Sequence, residues 1–273
     1  MINNLKTAII DIDSVMFSIG NPNKILDAYG IPVKKDGKFV TIEKTEEELA
    51  DSCEFIMNKI LTNSNCNDYI AFVKGNDTTK TKRLIDPNYK ADRSTTSPQW
   101  WQFVRGYLVN NWGVIEAHGA EVDDFVNITR LQIPDSFMCC IDSDLLGLEG
   151  THYNWKKNNL VGEWITTTAE QAEYKFWSDM ICGTHNNTKG LPGKGIVYFK
   201  NFVLEHVELL GNSFHGATLN AYLTHFGEEL GIEEFYKNYK MIKILNKFEE
   251  FVIPEPIKFK KNEELSEEKG IFD

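Results

Sequence analysis

Short apolar runs separated by amphipathic stretches set the framework of this 273-residue chain. Ala8-Ile-Ile-Asp11 is continuously apolar up to a terminal acid, the pattern of a strand buried on both faces with its carboxylate at the C-terminal edge. Tyr69-Ile-Ala-Phe-Val73, Val114-Ile-Glu-Ala117 and Phe137-Met-Cys-Cys-Ile141 predict further strands. Thr45-Glu-Glu-Glu48 has capping-box spacing and opens a helix expected to run through Ile60. Helical patterns also cover Trp100–Val109 and Asp123–Leu131. This alternation predicts an α/β fold, a mainly parallel sheet flanked by helices on both faces. Sites in such sheets form beyond the carboxyl ends of the strands, where Asp11, Asp142 and Asp144 fall.

Past Gly150 the pattern turns helical. Thr168-Ala-Glu-Gln171 starts a helix running to about Met180, the loop Gly183–Gly195 follows, and helical segments continue to about Phe251. From Pro254 the chain mixes Lys and Glu with few apolar anchors, which predicts a loosely attached tail.

Composition changes this picture little. With 42% hydrophobic and 25% charged residues the chain is an ordinary globular one, long enough for a substantial core. A net charge of −11 argues on its face against a nucleic-acid partner, but polyanion binding depends on local charge, and acidic metal sites contribute to the deficit. The five cysteines (Cys53, Cys66, Cys139, Cys140, Cys182) have no metal-ligand spacing; an odd, scattered set predicts a reducing, cytoplasmic setting. No signal-peptide pattern and no membrane-length apolar run is seen, so no membrane partner is expected.

The chemistry is concentrated in acids. Gly119-Ala-Glu-Val-Asp-Asp124 and Ile141-Asp-Ser-Asp144 place carboxylates in two tight clusters, each beside a predicted strand. Crowded carboxylates repel unless a cation or shared protons neutralise them. On a helix, Glu121 and Asp124 share a face and are able to grip one cation; the same acids also suit a helix's first turn. Asp142 and Asp144 point the same way in an extended chain, although Asp-Ser-Asp is equally good turn chemistry. Asp13, beside Asp11, reads as a solvated acid.

Between these clusters lie Lys80, Lys82 and Arg83, then Asp86-Pro-Asn-Tyr-Lys-Ala-Asp-Arg93. Lys90 and Arg93 fall on one face if helical, and Tyr89 offers a ring to stack on a base; a polar surface loop is the plain alternative. Trp100 and Trp101 are assigned to core packing. Gly190-Leu-Pro-Gly-Lys-Gly195 is dense enough in glycine for close backbone approach to a phosphate, but lacks the Ser or Thr of a nucleotide P-loop.

In this order, the segments at Asp11, 86–93, 119–124, 142–144 and 190–195 resemble the structure-specific 5′-nuclease family, the flap endonucleases and phage exonucleases. The resemblance is closest to the T7-type phage 5′→3′ exonucleases. It implies a PIN-like domain over residues 1–165 with an arch segment at about 78–110, then a helical region, 166–251, with a helix-hairpin-helix-type loop at 183–195, and an acidic, polar tail, 252–273. The implied cofactors are one or two Mg²⁺ or Mn²⁺ ions held by Asp11, Glu121, Asp123, Asp124, Asp142 and Asp144, with Asp77 the nearest match to an acid after the second strand. Lys90 and Arg93 match the basic pair that contacts the scissile phosphate. Lys82, Arg83, Tyr89, Lys189, Gly190, Gly193, Lys194 and Gly195 are the implied DNA-binding residues, with K⁺ at the hairpin loop.

The implied partner is DNA with 5′ ends or flaps, RNA–DNA hybrid being left open beside it. One departure stands out: around Gly183, Thr184, Asn186 and Asn187 two acids of a second metal site are expected, and neither is there. The expected activity is metal-dependent 5′→3′ exonuclease or flap-type endonuclease cleavage. The alternative is a catalytically weakened nuclease-fold protein that binds branched or ended DNA, or a protein partner.

Overall fold

The apolar run at the start of the chain forms β1 (Thr7–Asp11), the centre of the sheet, in a computed structural model that describes residues 7–27, 29–91, 98–184, 188–210, 213–249 and 251–259. It leads into α1 (Ile12–Ile19), whose N-cap is Asp11. Two small antiparallel ladders follow, made by β2 (Asn23–Lys24), β3 (Lys34–Lys35), β4 (Lys38–Phe39) and β5 (Thr41–Ile42), with β2 on β5 and β3 on β4. Then come α2 (Glu46–Asn63), β6 (Asp68–Lys74), α3 (Lys80–Ile85), α4 (Trp100–Trp112), β7 (Ile115–Ala117), α5 (Val122–Gln132) and β8 (Ser136–Cys139). The layer is completed by α6 (Ser143–Leu146), β9 (Gly150–Asn154), α7 (Lys157–Leu160) and β10 (Glu163–Thr167). A helical part follows: α8 (Ala169–Cys182), α9 (Ile196–Tyr198), a π-helical segment (Phe199–Leu204), α10 (Glu205–Leu210), α11 (Phe214–Phe226) and α12 (Glu228–Ile242); β11 (Ile257–Lys258) returns to the sheet.

The sheet runs β10-β9-β8-β1-β6, and the outer edge of β6 is shared: β7 pairs in parallel with Phe72–Lys74, and β11 pairs antiparallel with Asp68 and Tyr69. The pairs β1/β6, β1/β8 and β8/β9 are parallel, so the predicted parallel core is present, with antiparallel strands only at the margins. Side chains alternate between two cores. Ala8, Ile10, Tyr69, Ala71, Phe137 and Cys139 pack against α1, α2 and α4. Ile9, Ile70, Phe72, Met138 and Cys140 pack against α5 and the segment from Ile244 to Phe251. A third core, around Trp177, Tyr222 and Phe235, holds α8, α11 and α12 together, and the Tyr222 hydroxyl donates to the Met180 carbonyl at 2.6 Å.

Two expectations about the chain's later part need correction. β9 and β10 extend the sheet on a side where no strand was expected, because their sequences, Gly-Thr-His-Tyr-Asn and Glu-Trp-Ile-Thr-Thr, are too polar to read as buried strands. The start of the tail is anchored rather than loose: Ile257 and Lys258 pair with β6, and the Lys258 ammonium meets the Asp68 carboxylate at 2.5 Å. Residues 260–273, the rest of that tail, lie outside the described residues. Among the described residues, no helix is long and apolar enough to cross a membrane.

Candidate active site

The parallel strands all end at one edge, and over that edge opens a cavity of about 680 Å³ lined by Asp11, Asp13, Lys90, Glu121, Asp123 and Asp142, among others. Each acid arrives there by local geometry. Asp11 ends β1 and caps α1 by accepting from the Asp13 N–H at 2.9 Å. Asp142 follows β8 and caps α6 by accepting from the Asp144 N–H at 2.8 Å. Glu121 caps α5, which puts Asp123 in that helix's first turn.

Burial first, then the charges of Asp13 and Asp142, push the Asp11 carboxyl up to about 8. Burial and the charges of Asp11, Asp142, Glu121 and Asp124 hold Asp123 well above the usual carboxylate range, and its side chain has no hydrogen bond or ion pair among the described residues. Glu121 behaves oppositely. Burial would raise it, but Lys82 at 2.5 Å and Lys90 at 2.6 Å outweigh that and bring it down to about 2.

These shifts set opposite pH responses. Asp11 binds its proton more tightly folded than unfolded, where its ordinary value is 3.8, so its contribution is full below about pH 4 and lost as pH rises through about 8. Glu121 contributes above its ordinary 4.5, and that contribution is lost as pH falls through about 2. The metal-free protein is therefore expected to melt at a higher temperature at pH 5 than at pH 8, with Mg²⁺ or Mn²⁺ restoring the loss at pH 8. Thermal melts at both pH values check this; equal melting temperatures would mean that the acids are not electrostatically crowded.

Several sequence expectations change in detail. Asp124 does not face Glu121 across a shared cation. One of its oxygens accepts from the Glu121 N–H at 3.0 Å and the other from the Leu245 N–H at 2.8 Å, so it ties α5 to the distant segment after α12. Asp142 and Asp144 are not on an extended chain: α6 begins between them, so Asp142 lines the cavity while Asp144 turns towards α8. Asp77 is exposed, in a left-handed backbone conformation (φ 62°), and does not line the cavity. Its expected place is taken by Asp13, which is not a solvated acid: it accepts from the Lys74 N–H at the end of β6, at 2.7 Å.

Tyr89 is buried rather than offered to a base. Its hydroxyl donates to Glu121 at 3.0 Å, and the Lys82 and Lys90 ammoniums lie 5.5 and 4.9 Å from its ring centre. Arg83 is exposed and donates to the Tyr89 carbonyl, which fixes the turn carrying Lys90. That turn is not helical, since Lys90 has φ 55°, and Arg93 lies outside the described residues. No local pattern pairs Lys82 with Glu121; their contact needs the fold to bring α3 to the start of α5. Trp101 does pack on the core, but with Phe17 (ring centres 5.3 Å apart) it also forms an apolar wall of the cavity.

On the far side of α6, Lys175 of α8 meets Asp179 at 2.5 Å and reaches Asp144 at 3.8 Å. Below it, α8 ends in the glycine-rich loop. Gly183 and Gly190 both have positive φ and cross so closely that a Cβ on Gly190 would lie 2.3 Å from the Gly183 nitrogen. The Leu191 N–H donates to the Ile181 carbonyl, Gly195 caps α9, and Lys189 and Gly193 are exposed, while the Lys194 ammonium lies over the Tyr198 ring at 4.7 Å. Residues 185–187 lie outside the described residues.

Among the described residues, no three Asp, Glu, His or Cys side chains are already drawn together as a metal cage. The donor chemistry nonetheless fits one hard divalent ion: Asp11, Asp123 and Asp142 offer oxygens only, and their mutual repulsion is what a cation offsets.

No protein-family profile matches the sequence. No curated protein matches it either. Solved structures do. The bacteriophage T5 D15 protein, co-crystallised with metal ions, superposes with a TM-score of 0.57 at 12% identity, over 87% of this chain and 89% of that one. A variant of the bacteriophage T5 D15 flap endonuclease, in a pseudo-enzyme–product complex with DNA and metal ions, gives 0.52 at 10% identity over 87% and 99%. The catalytic core of Rad2 with a DNA substrate gives 0.50 at 14% identity over 87% and 73%. The chain thus has the fold of the structure-specific 5′-nucleases, a mixed and mostly parallel PIN-like sheet flanked by helices.

Proposed function

We propose that this chain is a divalent-metal-dependent 5′-nuclease that hydrolyses DNA phosphodiesters at 5′ ends or flaps. The observation that carries the proposal is the cavity itself, where Asp11, Asp13, Asp123 and Asp142 gather at the carboxyl edge of the sheet and face Lys90. The likeness to one structure described as a complex with DNA and metal ions, and to another with a DNA substrate, supports the substrate and cofactor class.

Asp11, Asp123 and Asp142 would hold the ion, with Asp13 and Glu121 at its margin. Bound there, Mg²⁺ or Mn²⁺ supplies charge neutralisation for a phosphodiester and acidifies water. Lys90, released from Glu121 as an anionic phosphate enters, donates to a non-bridging oxygen and stabilises the charge that builds there. Lys82 keeps Glu121 neutralised meanwhile. Phe17 and Trp101 offer an apolar surface to the substrate beside the acids. Arg93, three residues on in sequence, is assigned the same phosphate as Lys90 on the strength of the family resemblance. The loop from Gly183 to Gly195, with Lys189, Gly190, Gly193, Lys194 and Gly195, holds the duplex backbone through its N–H groups and lysines, with K⁺ as its ion.

A second reading, a weakened nuclease-fold protein that binds branched or ended DNA, is favoured by one observation: from Met180 to Leu204 the sequence has no Asp or Glu. Incubation with 5′-labelled duplex, flap and RNA–DNA hybrid substrates separates the two. Short labelled products that appear only with Mg²⁺ or Mn²⁺ support the nuclease; retained DNA binding with no metal-dependent cleavage supports the second reading.

A further inference from the structure

We infer that the ammonium of Lys175 is a built-in substitute for a second metal ion, so that the site takes one divalent cation and not two. The inference rests on the nuclease reading and concerns the side of the site away from Asp11.

Fold and sequence disagree there. The acids expected after α8 are absent, since no Asp or Glu occurs between Met180 and Leu204. The carboxylates that do reach this side are Asp144, from the turn that Asp142 caps, and Asp179, from the last turns of α8. Both are half-buried, so neither charge is fully screened by solvent. Lys175 lies between them, 2.5 Å from the Asp179 Oδ2 and 3.8 Å from the Asp144 Oδ1.

An i,i+4 Lys–Asp pair on a helix is ordinarily a surface ornament of little energy. Two features separate this one from that case. Its second carboxylate comes from the acid-bearing turn rather than from α8, so the ammonium links the two elements. The stem of Lys175 also runs directly over Gly147, where a Cβ would come within 2.8 Å of Cε and 2.9 Å of Cδ of Lys175. Gly147 closes the turn that Asp142 opens, so this glycine and the acids belong to one short segment.

A divalent ion at Asp144 and Asp179 would have to displace the ammonium and then tolerate it nearby, at a Coulomb cost that a partly buried site screens poorly. Lys175 therefore supplies a fixed positive charge on that side, and the first ion is left to Asp11, Asp123 and Asp142.

The test is the number of ions bound by the full chain without DNA. Calorimetric titration with Mn²⁺ is expected to find one ion in the wild type, one in Lys175→Arg and two in Lys175→Met, the second also visible as dipolar broadening of the Mn²⁺ electron paramagnetic resonance spectrum. Circular dichroism checks the fold of each variant, and Lys175→Gln replaces Lys175→Met if the latter does not fold. Two ions in the wild type, or one in a folded neutral variant, overturn the inference and leave the nuclease reading intact. No bound ion in the wild type overturns both.

Discussion

Asp11→Asn is expected to lower metal-dependent cleavage by about a thousandfold or more while making the metal-free protein harder to unfold. The activity loss follows from removing one of only three carboxylates placed to hold the ion, on the scale seen when a single preorganised charge is deleted from an active site. The stability gain follows from the same crowding. Asp11 is buried beside Asp13 and Asp142, and its pKa, near 8, measures how unfavourable its charge is there. Asn keeps the oxygen that accepts from the Asp13 N–H, so the cap on α1 survives. At pH 8 the relief is expected to raise the melting temperature by several degrees or more. Cleavage assays and melts of one preparation check both halves. A variant that is inactive but less stable would mean that Asp11 serves the fold through contacts other than its charge.

The second large effect is expected at Lys90. Lys90→Met keeps an unbranched side chain and removes the ammonium that lies over Tyr89, while Lys82 still neutralises Glu121. Turnover is expected to fall by about 10²- to 10³-fold with KM little changed, because the charge matters most when the phosphate gains charge. Single-turnover cleavage over a range of DNA concentrations separates the two constants. An unchanged rate would reduce Lys90 to a partner that holds Glu121 in place.

The central sheet was legible because buried parallel strands are written as unbroken apolar runs, as in Ala8–Ile10 and Tyr69–Val73. The acids at its edge were legible because each lies directly after such a run. What the sequence hid depends on partners far away in the chain. Asp124 looks identical to Asp123 on paper, yet Leu245, 121 residues later, turns one into a structural tie and leaves the other facing the cavity. The role of Asp13 is hidden in the sequence because it depends on the Lys74 N–H, 61 residues on. The burial of Tyr89 has no local signal, because two lysines and Glu121 close around it only in the folded chain. Lys175 shows in the sequence only its i,i+4 partner Asp179; its second carboxylate, Asp144, comes from the fold.

The return of the chain after α12 has a consequence for assembly. Leu245 and Asn246 bond to α5, Phe248 and Phe251 pack on Phe125, and Ile257 and Lys258 complete the edge of β6, at separations of up to 190 residues. Contacts of that span are costly to close and form late in folding. During synthesis the acidic helix therefore stays only partly tethered while the whole helical region is made. The carboxylates on α5 are fixed only once residues 244–259 have been made and wrapped back over the layer formed earlier.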